Sequence, residues 1–280
     1  MKHLLSNWSE IVTKINRVRN VLLLTDYDGT LTPIVDRPRD ARLPDDIKQV
    51  IRQLSVLPNC TIGIISGRSL TDIINKVDLT GIIYAGNHGM EIKELSGRVT
   101  VDPEAKKAQP IIEDLYYKLI QKLGEIKGVR VENKVFSLSV HYRLVSQETV
   151  QEISSLFEQI VNDAKTSGAV RITHGKKVFE VRPPAGMDKG KAIKRLIDEY
   201  EKEAIRKGND LLSIYQGDDQ TDEDGFRSIK EYDNSISIFV GVPPARSAAH
   251  YFLNWPNEQV IFLRMLYEQL QSVSDGQKVQ

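Results

Sequence analysis

Two carboxylates separated by one residue close an apolar run in Leu22-Leu-Leu-Thr-Asp-Tyr-Asp-Gly-Thr-Leu-Thr. Asp26 and Asp28 thereby fall on a loop that Gly29 lets turn sharply. Acids this close repel, and each disfavours the ionised form of the other. A divalent cation relieves that conflict, and an all-oxygen donor set selects magnesium. The same cation would neutralise a phosphate approaching a carboxylate. Asp26 attacking phosphorus would give an aspartyl-phosphate; Asp28 could protonate the leaving oxygen and later deprotonate water. The alternative reading of Asp-Tyr-Asp-Gly alone is a surface turn after a strand.

The surrounding pattern supplies that strand. Residues 21–25, 61–65, 81–85, 211–216 and 235–240 are short β-rich apolar runs, each ending in polar or glycine-containing sequence. Continuous runs without alternation suit parallel strands buried on both faces. Helical patterns fall at 45–57, behind Pro44, at 69–77 and at 258–270, with another at 6–18. These describe a Rossmann-like, doubly wound α/β core whose polar residues gather at the carboxyl ends of the strands, where such sheets bind ligands. The middle reads otherwise. Helices at 110–123 and 147–164 alternate with strands at 129–132, 136–142, 170–173 and 178–181, the last two forming a hairpin around His174-Gly175-Lys176. This predicts an α+β domain at 104–184 inserted into a core made of 1–103 and 185–280.

Strand followed by Asp-x-Asp-Gly-Thr resembles the nucleophile motif of the haloacid dehalogenase superfamily. The resemblance implies three further motifs. Ile64-Ile-Ser-Gly-Arg offers Ser66 as a donor to a phosphoryl oxygen, with Arg68 nearby; Ser66 read alone is equally a helix N-cap. Met187-Asp-Lys-Gly-Lys-Ala offers Lys189 to offset charge on Asp26, with Lys191 as the alternative. Tyr215-Gln-Gly-Asp-Asp-Gln-Thr-Asp-Glu-Asp offers Asp218 as a direct magnesium ligand and Asp222 as a ligand directly or through water, alongside Asp26 and the Asp28 carbonyl.

An insertion between the second and third motifs matches the larger cap type of that superfamily, which implies exclusion of water and reading of the leaving group. It contains Val131-Glu-Asn-Lys, Ser137-Leu-Ser-Val-His-Tyr-Arg and Lys177-Val-Phe-Glu-Val-Arg-Pro. With Tyr84-Ala-Gly-Asn-His-Gly-Met-Glu in the core, these resemble the trehalose-6-phosphate phosphatases over about 22–270. That resemblance implies hydrolysis of a phosphosugar, with Glu132, Lys134 and Glu180 reading hydroxyls and His141, Arg143 and Arg182 as donors or supports. Thr30, Arg68, Asn87 and His88 are the substrate-binding candidates of the core. Alternatives are sucrose 6-phosphate, mannosyl-3-phosphoglycerate, phosphoryl transfer to another acceptor, or a non-catalytic sugar-phosphate sensor. Association with a trehalose-6-phosphate synthase is a further implication.

Composition narrows the rest. Lys plus Arg (38) balances Asp plus Glu (38), so nothing draws the chain generally to nucleic acid or a membrane. The single cysteine, Cys60, sits in an apolar run and reads as inert core in a reducing compartment. No apolar stretch is long enough to span a bilayer and the N-terminus is too polar for a secretory signal, so the expected location is cytoplasmic. Residues 272–280 are expected to fray.

Overall fold

Before the insertion the chain forms β1 (Lys2–His3), α1 (Trp8–Ile15), β2 (Asn20–Thr25), α2 (Asp45–Ser55), β3 (Cys60–Ile65), α3 (Leu70–Val77), β4 (Ile83–Gly86), β5 (Glu91–Lys93) and β6 (Val99–Val101). The insertion contributes α4 (Pro103–Leu123), β7 (Arg130–Asn133), β8 (Leu138–His141), α5 (Gln147–Thr166), β9 (Arg171–Gly175) and β10 (Val178–Arg182). The chain closes with α6 (Lys189–Arg206), β11 (Leu211–Gly217), α7 (Asp222–Ile229), β12 (Ser235–Val240), β13 (Tyr251–Leu253) and α8 (Asn257–Gln277). The structure, a computed structural model, describes residues 1–277 apart from 36, 176, 185, 255 and 256. It divides into two units, Met1–Val99 with Asp188–Gln280, and Thr100–Met187.

The larger unit is built on a nine-stranded sheet in the order β1-β13-β12-β11-β2-β3-β4-β5-β6. Pairing is parallel from β1 through β4 and antiparallel from β4 to β5. Strand β2 shows why apolar runs are required: Val21 and Leu23 face a core shared with α1, α2, α3 and α8, while Leu22 and Leu24 face one shared with α6 and α7. Helix α1 packs on the first of these cores through Ile11 and Ile15, and the Trp8 ring meets Phe262 of α8 edge-on. Because β3 follows on one side of β2 and β11 lies on the other, strand order reverses between β2 and β11. Ligand crevices open at such points.

The inserted unit is a four-stranded antiparallel sheet, β7-β8-β10-β9, with α4 and α5 sharing the apolar core on one face. Leu138, Val140, Phe179 and Val181 fill that core, and the intervening residues point to the opposite, polar face.

Three expectations are corrected. Helix α4 starts at Pro103, with Asp102 as N-cap accepting from Glu104 N and Ala105 N, and it runs through Pro110 instead of starting there. Residues 272–277 continue α8, while 278–280 lie outside the described residues. Strands β1, β5, β6 and β13 were not expected at all. Lys176, in the expected hairpin turn, also lies outside the described residues.

Candidate active site

Asp26 follows β2 directly, and its N–H donates to the Gln216 carbonyl at 2.9 Å. The register Gln216↔Thr25 sets it beside the turn that leaves β11. Lys189 begins α6, whose N-cap Asp188 accepts from Lys191 N at 2.8 Å and so fixes the turn carrying the lysine. Lys189 Nζ donates to Asp26 Oδ1 and to Asp222 Oδ1, each at 2.7 Å. Lys191 stays at the surface, 3.8 Å from Asp188, so of the two lysines it is Lys189 that meets the acids. Asp222 Oδ2 accepts from Asp218 N at 3.0 Å and Asp219 N at 3.1 Å, and its Oδ1 also accepts from the Tyr215 hydroxyl.

Asp26, Asp218 and Asp222 each bring one carboxylate oxygen within 4.8 Å of the others. Thr30 Oγ1 donates to Asp218 Oδ1 at 3.3 Å. Gly29 has φ +93°, and a Cβ there would fall 2.1 Å from Asp218 Oδ2. Only glycine lets the loop pass so close beneath that carboxylate.

The electrostatics follow from crowding acids in a dry place. Burial, reinforced by Asp222 and Asp218, holds Asp26 well above the usual carboxylate range against the pull of Lys189. Burial with Asp222 and Asp219 pushes Asp218 up to about 7. Burial would lower Lys189, but Asp222 and Asp26 carry it well above its ordinary value. All three shifts share one sense: a buried cluster with more carboxylates than ammonium groups retains protons. A cation among these oxygens would reverse it for the acids.

Asp28 is held by an arginine, not by the Lys189 ammonium. Arg68 grips it from Nε and Nη2, each at 2.7 Å, and donates as well to Asp72 Oδ2 (2.6 Å) and the Pro38 carbonyl (2.7 Å). Arg68 stands here as a support of Asp28. Ser66 is buried just beyond β3, its Oγ accepting from Arg68 N at 3.2 Å; the N-cap of α3 is Ser69, whose Oγ accepts from Asp72 N. Asn87 and His88 both adopt left-handed backbone, φ 50° and 59°, a strained pair held by Asn87 N on the Arg68 carbonyl (2.6 Å) and His88 N on the Ser66 carbonyl (2.8 Å). The His88 ring lies where a Cβ on Gly67 would fall, 2.7 Å from Cε1. Asn87 Nδ2 donates to Glu91 Oε2 at 2.7 Å.

In the inserted unit, Glu132, Ser139, Glu180 and Thr173 form one transverse row on the polar face, set by the registers Glu132↔Ser139, Glu180↔Ser139 and Glu180↔Thr173. His141 Nε2 lies 3.0 Å from Glu132 Oε2. Lys134 Nζ and Ser139 Oγ each reach Glu180 Oε1 at 3.4 Å, and Arg182 grips Glu180 Oε2 from Nε (3.0 Å) and Nη2. Burial opposes ionisation of Glu132, yet His141, Lys134 and Arg130 together bring it down to about 2. Arg143 falls in the exposed turn beyond β8, off the strand. Cys60 is buried and its thiol is pushed up to about 12, which leaves it inert.

Sequence reasoning missed Tyr215, Asp72 and Glu91. Asp72 carried a signal, since it stands four residues after Arg68, the spacing of a helical ion pair. Tyr215 carried none, being one aromatic in an apolar strand.

Comparison with known proteins identifies the family. "Probable trehalose-phosphate phosphatase H" of Arabidopsis thaliana is 34% identical over 271 residues, covering 92% of this chain and 75% of its own. A trehalose 6-phosphate phosphatase of Zea mays is 34% identical over 260 residues, covering 89% and 70%. Among solved structures, the C-terminal domain of the Candida albicans trehalose-6-phosphate phosphatase superposes with a TM-score of 0.76 at 26% identity, covering 94% of this chain and 97% of that one. Residues 24–257 match the trehalose-phosphatase family, a span that takes in every strand from the end of β2 to β13, and the chain belongs to that family.

Proposed function

We propose that this chain hydrolyses trehalose 6-phosphate to trehalose and phosphate through an aspartyl-phosphate formed on Asp26. One observation carries the reading: a buried ammonium, Lys189, is shared at 2.7 Å between Asp26 and Asp222 at the point where strand order reverses. Family membership supplies the substrate class, and the named relatives supply the sugar.

The donor set fits a hard divalent cation. It consists of carboxylate oxygens, and their crowding raises Asp26 and Asp218, a cost that a cation removes. Magnesium is the ion of this proposal, held by Asp26, Asp218 and the Asp28 carbonyl, with Asp222 behind them; when bound it neutralises phosphate charge and orients the phosphoryl group. The protein's own groups do the remainder. Lys189 fixes the rotation of Asp26 and offsets the charge that an arriving phosphoryl group brings. Asp26 forms the new O–P bond as the sugar alkoxide leaves with a proton from Asp28. Asp28 then takes a proton from the water that breaks the O–P bond. Ser66 donates to a phosphoryl oxygen.

Sugar recognition is assigned to the polar face of the inserted unit. Glu132, Lys134 and Glu180 offer acceptors and a donor already oriented by His141 and Arg182. A site built to pair hydroxyls rejects analogues that leave its groups unpaired. A synthase supplying the phosphosugar belongs to the same proposal. Among the described residues no helix is long and apolar enough to cross a membrane.

The deciding experiment measures phosphate release with magnesium from trehalose 6-phosphate, sucrose 6-phosphate, glucose 6-phosphate and p-nitrophenyl phosphate. Selective turnover of the first is the expected result. Equal turnover of all four would defeat the disaccharide assignment while leaving the phosphatase.

A further inference from the structure

Asp222 is the most heavily engaged acid of the site. Lys189 Nζ and the Tyr215 hydroxyl donate to Oδ1, and the amides of Asp218 and Asp219 donate to Oδ2. A carboxylate has about four lone-pair positions, so these protein donors fill it. The two amides anchor the loop that carries Asp218, and the lysine faces the nucleophile. The tyrosine is the donor with no assigned task.

Its placement is fixed by more than that hydrogen bond. Tyr215 is fully buried on β11, with its ring 5.5 Å from that of Phe226. Helix α7 approaches it so closely that a Cβ on Gly225 would fall 2.5 Å from Tyr215 Cε1. The ring is thus packed on both β11 and α7, and that packing sets its hydroxyl against Asp222. Lys189 bridges Asp222 Oδ1 and Asp26 Oδ1 at equal distances, so any rotation of the Asp222 carboxylate draws the ammonium off the nucleophile.

We propose that Tyr215 is a positioning residue for phosphoryl transfer: its hydroxyl locks Asp222 Oδ1 so that Lys189 is delivered to Asp26. The inference rests on the phosphatase reading above. The hydroxyl acts on Asp222 Oδ1, the same oxygen that receives Lys189, so its effect belongs to the chemical step.

The test is Tyr215→Phe in the full chain, assayed with magnesium and trehalose 6-phosphate. The expected result is a fall in kcat of about 10- to 100-fold, as for other groups that orient a reacting residue from behind. KM, the calorimetric affinity for Mg²⁺ alone and the Tm should stay close to wild type. Placing 4-aminophenylalanine at 215 keeps a donor on the same ring position and should restore most of kcat. An unchanged kcat in Tyr215→Phe overturns the proposal. So does a variant that fails to fold, or a joint loss of kcat and Tm that the amino analogue does not rescue, since either makes the hydroxyl structural. Wild-type protein inert toward every phosphomonoester would overturn the phosphatase reading and this inference together; an active wild type with an indifferent Tyr215→Phe overturns the inference alone.

Discussion

Arg68 donates to both carboxylate oxygens of Asp28, from Nε and from Nη2, while Asp72, the Pro38 carbonyl and the face of the Tyr27 ring hold the rest of the guanidinium. The proposed general acid is thus held by a planar fork that a lysine cannot imitate. If the grip serves Asp28, the two residues act as a unit and their losses do not add. Arg68→Lys should lower kcat about 10- to 100-fold, and Arg68→Lys combined with Asp28→Asn should be no slower than Asp28→Asn alone. Steady-state kinetics on the four proteins of this cycle check it; additive losses would place Arg68 on the substrate instead.

A second prediction comes from backbone geometry. Gly29 at φ +93° sits where a methyl group would meet Asp218 at 2.1 Å. Gly29→Ala strains the loop and drives that carboxylate aside. Magnesium affinity should fall about 10- to 100-fold, with some loss of stability from the left-handed backbone. Calorimetric titration of Mg²⁺ reads the first and thermal melting the second. Wild-type affinity in the variant would remove Asp218 from the ion.

The nucleophile itself should be a stability liability. Burial and neighbouring acids disfavour the charged form of Asp26 in the absence of a cation. Asp26→Asn keeps the shape and removes that conflict, while Asp222 remains as a partner for Lys189. Turnover should vanish, and in metal-free buffer the Tm should equal or exceed that of wild type, the pattern expected where strain is kept for function. A large drop in Tm would mean that the Asp26–Lys189 pair is a structural bond first.

How much of this was readable beforehand depended on whether a signal was local. Asp26, Asp28 and Asp218 each follow a buried apolar run, so their place at strand ends needed only the strand and the acid. Lys189 is preferred to Lys191 in the sequence by its match to the family's Lys-Gly step, and the fold adds the physical reason: both lie in the first turn of α6, yet Lys189 is buried against the acids and Lys191 is at the surface. Strands β1 and β13 run two and three residues, too short for any period, and exist because they complete an edge of the sheet. Pro110 misled for a good reason: proline favours a first turn, yet here Pro103 holds that position behind the Asp102 cap. Arg143 lies past the end of β8, which closes at His141, so the strand does not fix its side chain as it fixes those of Ser139 and His141.

The inserted unit yields a prediction in pH. Its Glu132 carboxyl is brought down to about 2, because the stabilising influence of His141, Lys134 and Arg130 exceeds the cost of burial. A depressed folded value means that the unfolded chain binds the proton more readily. The contribution is therefore complete above the ordinary glutamate value near 4.5 and is lost as pH falls from there toward 2. Glu132 keeps some solvent contact, with 24% of its side chain exposed, so the contribution is on the order of 1–2 kcal/mol at neutral pH. Glu132→Gln should melt lower than wild type at pH 7, and the two should converge as the buffer is taken from pH 5 toward pH 2. Parallel curves across that range would mean that the charge of Glu132 adds nothing to the fold and that its partners are arranged for a ligand alone. Assayed at neutral pH, the same variant should lose trehalose 6-phosphate turnover while keeping that of p-nitrophenyl phosphate, because the small ester presents no sugar hydroxyl for the carboxylate to accept from.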